Sequence, residues 1–341
     1  MVRLGAMGDI LHALPAVTAL RHAHPEWVID WVVEPRWLAL LSAESNSARG
    51  PLQPLVDHIH LATTKAWRKA PLRFKTIHEI KLLRCALRTG EYDAVLDLQG
   101  AIRSAVVGRL AGCRRLIGED QPRERIARWL YTERVATRGA HVIEQDVELA
   151  SAVVGDDLAP ASPQLPVDPA AEACADQILP RSSSRPAVLI NPGAGWGAKR
   201  WPLERYASVA KGLIDRGLRV LVNAGPGEEP LANAILEAAP TAIPLACSLG
   251  QLIAITRRIS LCIAGDTGPL HLACALGRPV VGIYGPTDPS RNGPFGTSFR
   301  VLRSPESRRD HTRHAAPEAG LLTIQPEDVL QAASELLAEE N

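Results

Sequence analysis

Short runs of β-branched and apolar residues alternate along this chain with longer segments whose apolar positions recur at helical spacing. In the first half, this pattern predicts strands over residues 27–34, 57–62, 93–100 and 114–119. The segments predicted to be helices are 8–23, 76–89, 101–111 and 123–131. Strands that alternate with helices in this way are typical of parallel sheets built from βαβ units.

The same alternation starts again in the second half of the chain. The predicted strands there are 187–193, 219–227, 259–266 and 279–285, and the predicted helices are 203–216, 228–238, 248–257 and 268–276. Residues 155–186 are rich in Pro, Asp, Ala and Ser, contain one short helical stretch near 169–179, and are interpreted as the interdomain connection. We therefore expect an N-terminal domain over residues 1–165 and a C-terminal domain over 166–341, whose last helix packs back on the first domain.

The composition is that of an ordinary globular protein. Of the 341 residues, 46% are hydrophobic and 22% are charged, and the formal net charge is +1. These values exclude a disordered, fibrous or membrane-spanning chain. No apolar run reaches the roughly 18 residues that cross a bilayer, and the first residues lack the features of a signal peptide. We therefore expect a cytosolic location.

Six cysteines are scattered through the chain without a CxxC pair. Most of them lie in apolar surroundings such as LCIAGD and HLACAL. We interpret them as reduced core residues rather than as a disulfide framework or a zinc site. No carboxylate cluster indicates another metal site, and His311 and His314 are expected to lie exposed in a polar loop.

The most informative motif is GDTGPLHLACALGRPVVGIYGPTDP at residues 265–289. The predicted strand before it brings Asp266, Thr267 and Gly268 to the start of a helix, at the end of the sheet where ligands of open parallel sheets bind. The unpaired N–H groups and the dipole of a helix N-terminus favour a diphosphate. His271 lies one turn further along. Taken alone, this motif is equally typical of an N-cap beside a buried histidine.

Two further turns follow predicted strands in the same half. NPGAGWGAKRWP at residues 191–202 is rich in glycine and leads to Lys199, so it resembles a phosphate cradle, although it is not a Walker loop. AGPGEE at residues 224–229 places Glu228 where a carboxylate accepts hydrogen bonds from a ribose. As single features, these turns are also compatible with a flexible surface loop and an ordinary first-turn acid. A dinucleotide oxidoreductase is disfavoured because no GxGxxG precedes the first helix.

The first predicted helix begins within GAMGDILHALP at residues 5–15. Asp9 in this turn is either an N-cap or an exposed acid that faces the cleft between the two domains. The helix N-terminus favours its carboxylate form, which makes Asp9 a candidate general base.

Positive charge is concentrated between Lys65 and Arg88. This stretch holds eight basic residues, Arg68 and Lys69 among them, and one acid, Glu79. Such a concentration indicates an anionic partner, although a solvated helix face has the same composition.

Together these segments resemble the ADP-heptose glycosyltransferases of lipopolysaccharide core synthesis, in glycosyltransferase family 9. The resemblance spans most of the chain and runs in order through GAMGDILHALPA, DWVVE, WRKAP, YDAVLDLQGAIRSA, the turn that ends in Lys199, and the motif at residues 265–289. The DWVVE, WRKAP and YDAVLDLQG segments are most similar to the members that add the first heptose to Kdo-lipid A. The family implies an α/β fold of the GT-B type, in which two Rossmann-like domains face each other across a cleft. It also implies that the N-terminal domain binds the acceptor and the C-terminal domain binds the nucleotide sugar.

The resemblance implies roles for single residues as well. It assigns catalysis to the acid Asp9 and to Lys199, which binds phosphate. The implied donor site comprises Ala194, Gly195, Lys199, Glu228, Cys247, Asp266, Thr267, Gly268 and His271. The implied acceptor residues are Arg68, Lys69 and Arg123. Ala194 and Gly195 stand where related enzymes place hydroxyl residues, and Cys247 stands where a methionine lines the adenine pocket.

From this resemblance we expect an inverting transfer of L-glycero-D-manno-heptose from ADP-heptose to the Kdo of Kdo-lipid A, with the enzyme peripheral on the cytoplasmic face of the inner membrane. No cofactor, metal or nucleic acid is expected, and the chain is expected to act as a monomer. Two alternatives remain: another family 9 glycosyltransferase with a different sugar or acceptor, and a catalytically silent protein that binds a nucleotide sugar. Asp9 discriminates against the second, because such a binding protein does not need an acid in that turn.

Overall fold

The structure is a computed structural model that describes residues 1–44, 47–181, 185–225, 227–309 and 314–339. The chain divides into two compact units, Met1–Asp168 and Pro169–Asn341. The interdomain connection predicted over residues 155–186 thus belongs partly to each unit, and its residues 182–184 lie outside the described residues.

The first unit alternates strands and helices. Its helices are α1 (Met7–Ala23), α2 (Thr64–Lys69), α3 (Phe74–Thr89), α4 (Ile102–Leu110) and α5 (Val142–Val154). Its strands are β1 (Asp30–Val33), β2 (His58–Leu61), β3 (Ala94–Leu96), β4 (Arg115–Glu119) and β5 (Glu133–Val135). β1 pairs with β2, and β4 pairs with both β3 and β5, all in parallel. Val2 joins the two sets, because it forms parallel bridges to Val32 and to Asp97.

The second unit contains a longer parallel sheet. Its strands are β6 (Ala187–Asn191), β7 (Arg219–Asn223), β8 (Ile243–Leu245), β9 (Leu261–Gly265), β10 (Val280–Tyr284) and β11 (Phe299–Arg303). Its helices are α6 (Pro169–Ile178), α7 (Leu203–Asp215), α8 (Glu229–Ala238), α9 (Leu249–Thr256), α10 (Gly268–Ala275), α11 (Pro289–Asn292) and α12 (Pro326–Glu339). The strand order is β11-β10-β9-β6-β7-β8. β6, β9 and β10 are buried along their whole length, which explains their continuous apolar sequences.

The parallel α/β class predicted from the alternation is confirmed. The predicted strands of the second half correspond to β6, β7, β9 and β10, and the predicted helices to α7, α8, α9 and α10. The prediction of an α-helix over residues 123–131 is wrong, because Arg125–Leu130 form a short 3-10 helix after Pro122. The structure adds elements that the pattern did not predict, including α5, β5, β8 and β11.

The last helix packs within the second unit. α12 contacts α7 and strands β9, β10 and β11, and its residues Val329, Ala333 and Leu336 are buried in the core of this unit. We predicted packing of this helix on the first domain, but its apolar face covers the sheet of the second unit.

The cysteines are all free thiols. Cys262 and Cys274 are buried in the second unit, as predicted. The interpretation as core residues is wrong for Cys85, which is exposed because it lies on the outward face of α3.

Candidate active site

Three charged or titratable side chains meet at the carboxyl end of β9. Asp266 follows this strand directly, and its carboxylate pairs with the Lys199 ammonium group. The other carboxylate oxygen of Asp266 lies 3.2 Å from His271 Nε2, one turn into α10. The sequence predicted these residues separately, and the structure brings them together although Lys199 and Asp266 are 67 positions apart.

The Lys199 ammonium group is enclosed on two sides. It lies 4.2 Å from the centroid of the Trp196 ring, and the Lys199 and Asp266 side chains are each only 10% exposed. Burial raises the pKa of Asp266, but the hydrogen bond from His271 and the Lys199 charge outweigh burial and hold this pKa well below its usual range. Asp266 therefore stays ionised and keeps Lys199 in place.

A buried amide ladder connects the neighbouring strands. Asn223 at the end of β7 donates a hydrogen bond of 2.6 Å to the Asn191 side-chain oxygen at the end of β6. The Asn191 amide group in turn lies 3.4 Å from the Thr267 hydroxyl, in the turn between β9 and α10. These hydrogen bonds, which the sequence does not predict, fix the three turns relative to one another.

Glu228 lies between the turns that follow β6 and β7. Its carboxylate accepts a hydrogen bond of 3.2 Å from the Gly225 backbone N–H. A Cβ atom at Gly193 would collide with the same carboxylate, so a larger residue there would displace the Glu228 side chain. Gly193 in one motif and Gly225 in the other thus both help to position the Glu228 carboxylate.

The remaining predicted donor residues lie along the same edge of the sheet. Ala194 is buried and Gly195 is exposed, both in the turn after β6. Thr267 and Gly268 begin α10, and Cys247 is half-buried just after β8. Burial raises the pKa of the Cys247 thiol to about 11, so it acts as a neutral, apolar group.

The order of these groups follows the order of the strands. Lys199 and Asp266 lie at β9, Glu228 between β6 and β7, and Cys247 at β8. Adjacent strands are about 4.8 Å apart, so this edge extends over about 14 Å from β9 to β8. This edge of the sheet therefore presents, in order, a cation with a helix N-terminus, a carboxylate and an apolar thiol.

In the first unit, Asp9 lies in the first turn of α1. Its carboxylate accepts a hydrogen bond of 3.0 Å from the Ala6 backbone N–H, and its side chain is 37% exposed. Arg3 donates from Nε to the Asp9 backbone oxygen at 3.0 Å, and its Nη2 lies 3.9 Å from the Asp9 carboxylate. Asp9 is thus both a helix cap and a solvent-accessible acid beside a buried guanidinium group.

A second carboxyl group lies near this pair. Asp146 on α5 is 3% exposed, and its Oδ2 has no hydrogen-bond partner among the described residues. Burial raises the pKa of Asp146 to about 7, against the opposing charge of Arg3 and with the support of Asp9 and Glu119. Neither Arg3 nor Asp146 is among the residues predicted for the site, and Asp146 lies on α5, which the sequence pattern does not predict.

The buried Asp146 predicts a specific dependence of stability on pH. Its pKa in the folded state exceeds the value of 3.8 that an exposed aspartate has, so the folded protein binds the proton more tightly. Its contribution to stability is complete below pH 4 and is lost as the pH rises through 7. We compare the free energy of unfolding of Asp146→Asn with that of wild type. The value for the variant minus the value for wild type should therefore increase by about 4 kcal/mol between pH 4 and pH 8.

Urea unfolding of both proteins across this pH range is the measurement. The control is Asp157→Asn, which replaces an exposed aspartate of the same unit. A constant difference between Asp146→Asn and wild type at all pH values would show that Asp146 is ionised throughout.

Cations collect at the carboxyl ends of β1, β2 and β3. Burial and the guanidinium group of Arg36 lower the pKa of Lys65, Glu34 opposes this shift, and Arg103 and Arg68 add to it. Grouped like charges repel one another, so such a cluster favours the binding of an anion. The sequence did not predict that Arg36 and Arg103 join the basic stretch.

The predicted acceptor residues are all accessible. Arg68 and Lys69 are exposed on α2. Arg123 is also exposed, and it lies beside Gly100, which belongs to the turn after β3.

The described residues contain no group of three or more His, Cys, Asp or Glu side chains arranged to hold a metal ion. His314 is exposed, and His311 lies outside the described residues. In the part of the chain that the structure describes, no helix is both long and apolar enough to span a membrane.

Comparison with known proteins identifies the family. The model of glycosyltransferase family 9 (heptosyltransferase) matches residues 80–321. Lipopolysaccharide heptosyltransferase 1 of Escherichia coli K12 is 30% identical over 98% of this chain and 99% of its own length. Lipopolysaccharide heptosyltransferase 2 of the same strain is 27% identical over 98% of this chain and 97% of its own.

The fold agrees with this match. The solved structure of E. coli heptosyltransferase WaaC with ADP-2-deoxy-2-fluoro heptose superimposes with a TM-score of 0.76, at 29% identity and 98% coverage of both chains. The resemblance to this family and the GT-B fold class that it implies are thereby confirmed. The chain belongs to glycosyltransferase family 9, the heptosyltransferases, and is a glycosyltransferase.

Proposed function

We propose that this enzyme transfers L-glycero-D-manno-heptose from ADP-heptose to the Kdo of Kdo-lipid A, as lipopolysaccharide heptosyltransferase I does. Its relatives act in lipopolysaccharide core synthesis and include heptosyltransferases of both types. The higher identity to the type 1 enzyme and the cation cluster around Lys65 favour the first transfer.

The order of groups along the second sheet supports ADP-heptose as donor. The diphosphate fits Lys199 and the N-terminus of α10, the ribose fits the Glu228 carboxylate, and the adenine fits the apolar surroundings of Cys247. Asp266 and His271 position Lys199 and the turn at the start of α10, rather than binding the phosphates themselves. A relative of the same fold was solved with an ADP-heptose analogue.

The transfer then proceeds as a direct displacement. The acceptor hydroxyl oxygen forms a bond to the anomeric carbon, while the bond from that carbon to the ADP oxygen breaks and its electron pair leaves with ADP. Asp9 accepts the acceptor's proton as general base. Lys199 and the first N–H groups of α10 stabilise the negative charge that grows on the diphosphate.

The cations of the first unit match the acceptor. Kdo carries carboxylates and lipid A carries phosphates, and Arg68, Lys69 and Arg123 are exposed cations suited to them. Because this acceptor is a lipid, we place the reaction at the cytoplasmic face of the inner membrane. A single chain contains both proposed halves of the chemistry, so we expect an active monomer.

Neutralising Arg68 and Lys69 together should raise the acceptor KM about tenfold, which corresponds to ~1.4 kcal/mol. The Kd for ADP-heptose should stay within about twofold, and the effect on KM should shrink at high salt because exposed charges are screened. Kinetics of Arg68→Gln/Lys69→Gln at two salt concentrations provide the measurement. The control is Lys81→Gln/Arg84→Gln, which removes two exposed cations from α3. Weaker donor binding with an unchanged acceptor KM would reverse the roles assigned to the two units.

A choice of acceptors tests the proposed function. The enzyme is incubated with ADP-heptose and an equal mixture of Kdo-lipid A and the same lipid already carrying one heptose. We expect the mass of the first acceptor to increase by one heptose, with little change in the second. Selective extension of the heptosylated lipid would instead assign the type 2 reaction, for which the relative of 27% identity is named.

A further inference from the structure

Two apolar side chains protrude from the corner between α2 and α3. Leu72 is 88% exposed and Phe74 is 85% exposed, more than any other large hydrophobic residue that the structure describes. Exposed apolar side chains that lie together mark a contact surface, whereas scattered ones are ordinary.

This corner is held firmly at its base. Glu79 on α3 accepts hydrogen bonds from Trp67 Nε1 at 2.7 Å and from the Thr63 hydroxyl at 2.9 Å, which ties α3 to α2. The Thr76 hydroxyl donates to the Ala70 backbone oxygen at 2.9 Å and closes the turn. Leu72 and Phe74 are therefore presented outward by a fixed turn rather than by an unconstrained loop.

The outer face of α3 continues the apolar surface. Ile77 is 41% exposed and Leu82 is 57% exposed, whereas Leu83 and Leu87 on the opposite face are buried. Phe74 and Ile77 are three positions apart, so they lie next to each other on the helix. α3 thus has one apolar face in the core and a second, partly apolar face in solvent.

Cations surround this apolar surface. Arg68, Lys69, Arg73 and Lys75 are all exposed within seven positions of one another. The nearby acid, Glu79, already accepts two hydrogen bonds and lies 3.9 Å from Lys75. Apolar side chains among exposed cations are typical of segments that lie in the headgroup region of an anionic bilayer.

We propose that the α2–α3 corner docks this enzyme on an anionic lipid surface. Leu72 and Phe74 enter the boundary between headgroups and acyl chains, and the surrounding cations face the lipid phosphates. Neither signal suffices alone, because a short apolar contact binds weakly and a polybasic patch is screened by salt. The inference rests on the proposed function, since it brings the enzyme to the membrane that holds a lipid acceptor.

Vesicle sedimentation without any substrate tests the docking surface. We expect the full-length protein to bind phosphatidylcholine vesicles that contain about one quarter phosphatidylglycerol, and to bind pure phosphatidylcholine vesicles at least about tenfold more weakly. Leu72→Ser/Phe74→Ser should lower the partition coefficient for anionic vesicles at least about tenfold. The control, Val28→Ser/Phe299→Ser, removes an exposed valine and an exposed phenylalanine elsewhere and should bind like wild type.

A second assay separates this inference from the proposed function. On a soluble Kdo acceptor without acyl chains, Leu72→Ser/Phe74→Ser should match the wild-type kcat and KM, which also shows that it is folded. Vesicle binding equal to wild type, an equal loss in the control, or no preference for anionic vesicles overturns the docking surface even if heptose transfer is intact. Vesicle binding without any heptose transfer contradicts the proposed function and leaves the surface standing.

Discussion

Replacing Asp9 with asparagine is expected to lower kcat by about 10²–10⁴-fold, the usual range for the loss of a general base. The amide oxygen can still accept the hydrogen bond from the Ala6 N–H, and Arg3 still holds the Asp9 backbone oxygen. The fold and the Kd for ADP-heptose should therefore stay close to wild type. Steady-state kinetics, donor titration and thermal unfolding of the variant provide the measurement.

Asp328 offers a closely matched control. It also occupies the first turn of a helix, α12, and its carboxylate accepts a hydrogen bond of 2.8 Å from the Gln325 N–H. Asp328→Asn makes the same chemical change in a cap that has no proposed part in the reaction. If Asp9→Asn and Asp328→Asn lower kcat equally little, Asp9 is only a helix cap.

Lys199→Met should lower kcat by about 10²–10³-fold and weaken the binding of ADP-heptose. The lysine supplies the charge placed to stabilise the leaving diphosphate, and one such preorganised group contributes an effect of this size. Its loss also leaves the Asp266 carboxylate without its ion pair to Lys199, so the melting temperature should fall as well.

The double variant Lys199→Met/Asp266→Asn separates these two effects. It removes both members of the buried ion pair, so most of the lost stability should return. The activity should stay low, because the cation is still missing. Recovery of kcat together with the melting temperature would mean that Lys199 serves stability alone.

The parts of the fold that could be predicted are those with strong local patterns. β6, β9 and β10 are continuous apolar runs, and the helices between them have clear apolar spacing. α5 was missed although it has an apolar face, since His141 is not among the common N-cap residues that indicate the start of a helix. β8 has only three residues, too few for a periodic signal.

The candidate site shows the same division. Asp266, Lys199 and Glu228 could be named because each follows a strand within a glycine-containing turn. Their pairing could not be predicted, since the contact between Lys199 and Asp266 depends on β6 and β9 being neighbours in the sheet.

Buried polar contacts were the least predictable feature. Asn191 and Asn223 look like ordinary turn residues in the sequence, and only the pairing of β6 with β7 joins them. Asp146 lies within an ordinary helical pattern, and its raised pKa arises from burial in the folded unit, against the charge of Arg3, rather than from its neighbours in sequence.

The proposed reaction is a direct, single-displacement transfer of heptose from ADP-heptose to Kdo-lipid A. It is tested most directly by isolating the product that wild-type enzyme forms from these two substrates and determining its mass and anomeric configuration by NMR. We predict the addition of one heptose to Kdo, with the configuration inverted relative to the donor. A heptose attached with retained configuration, or no heptose on Kdo, would show that the enzyme catalyses a different reaction.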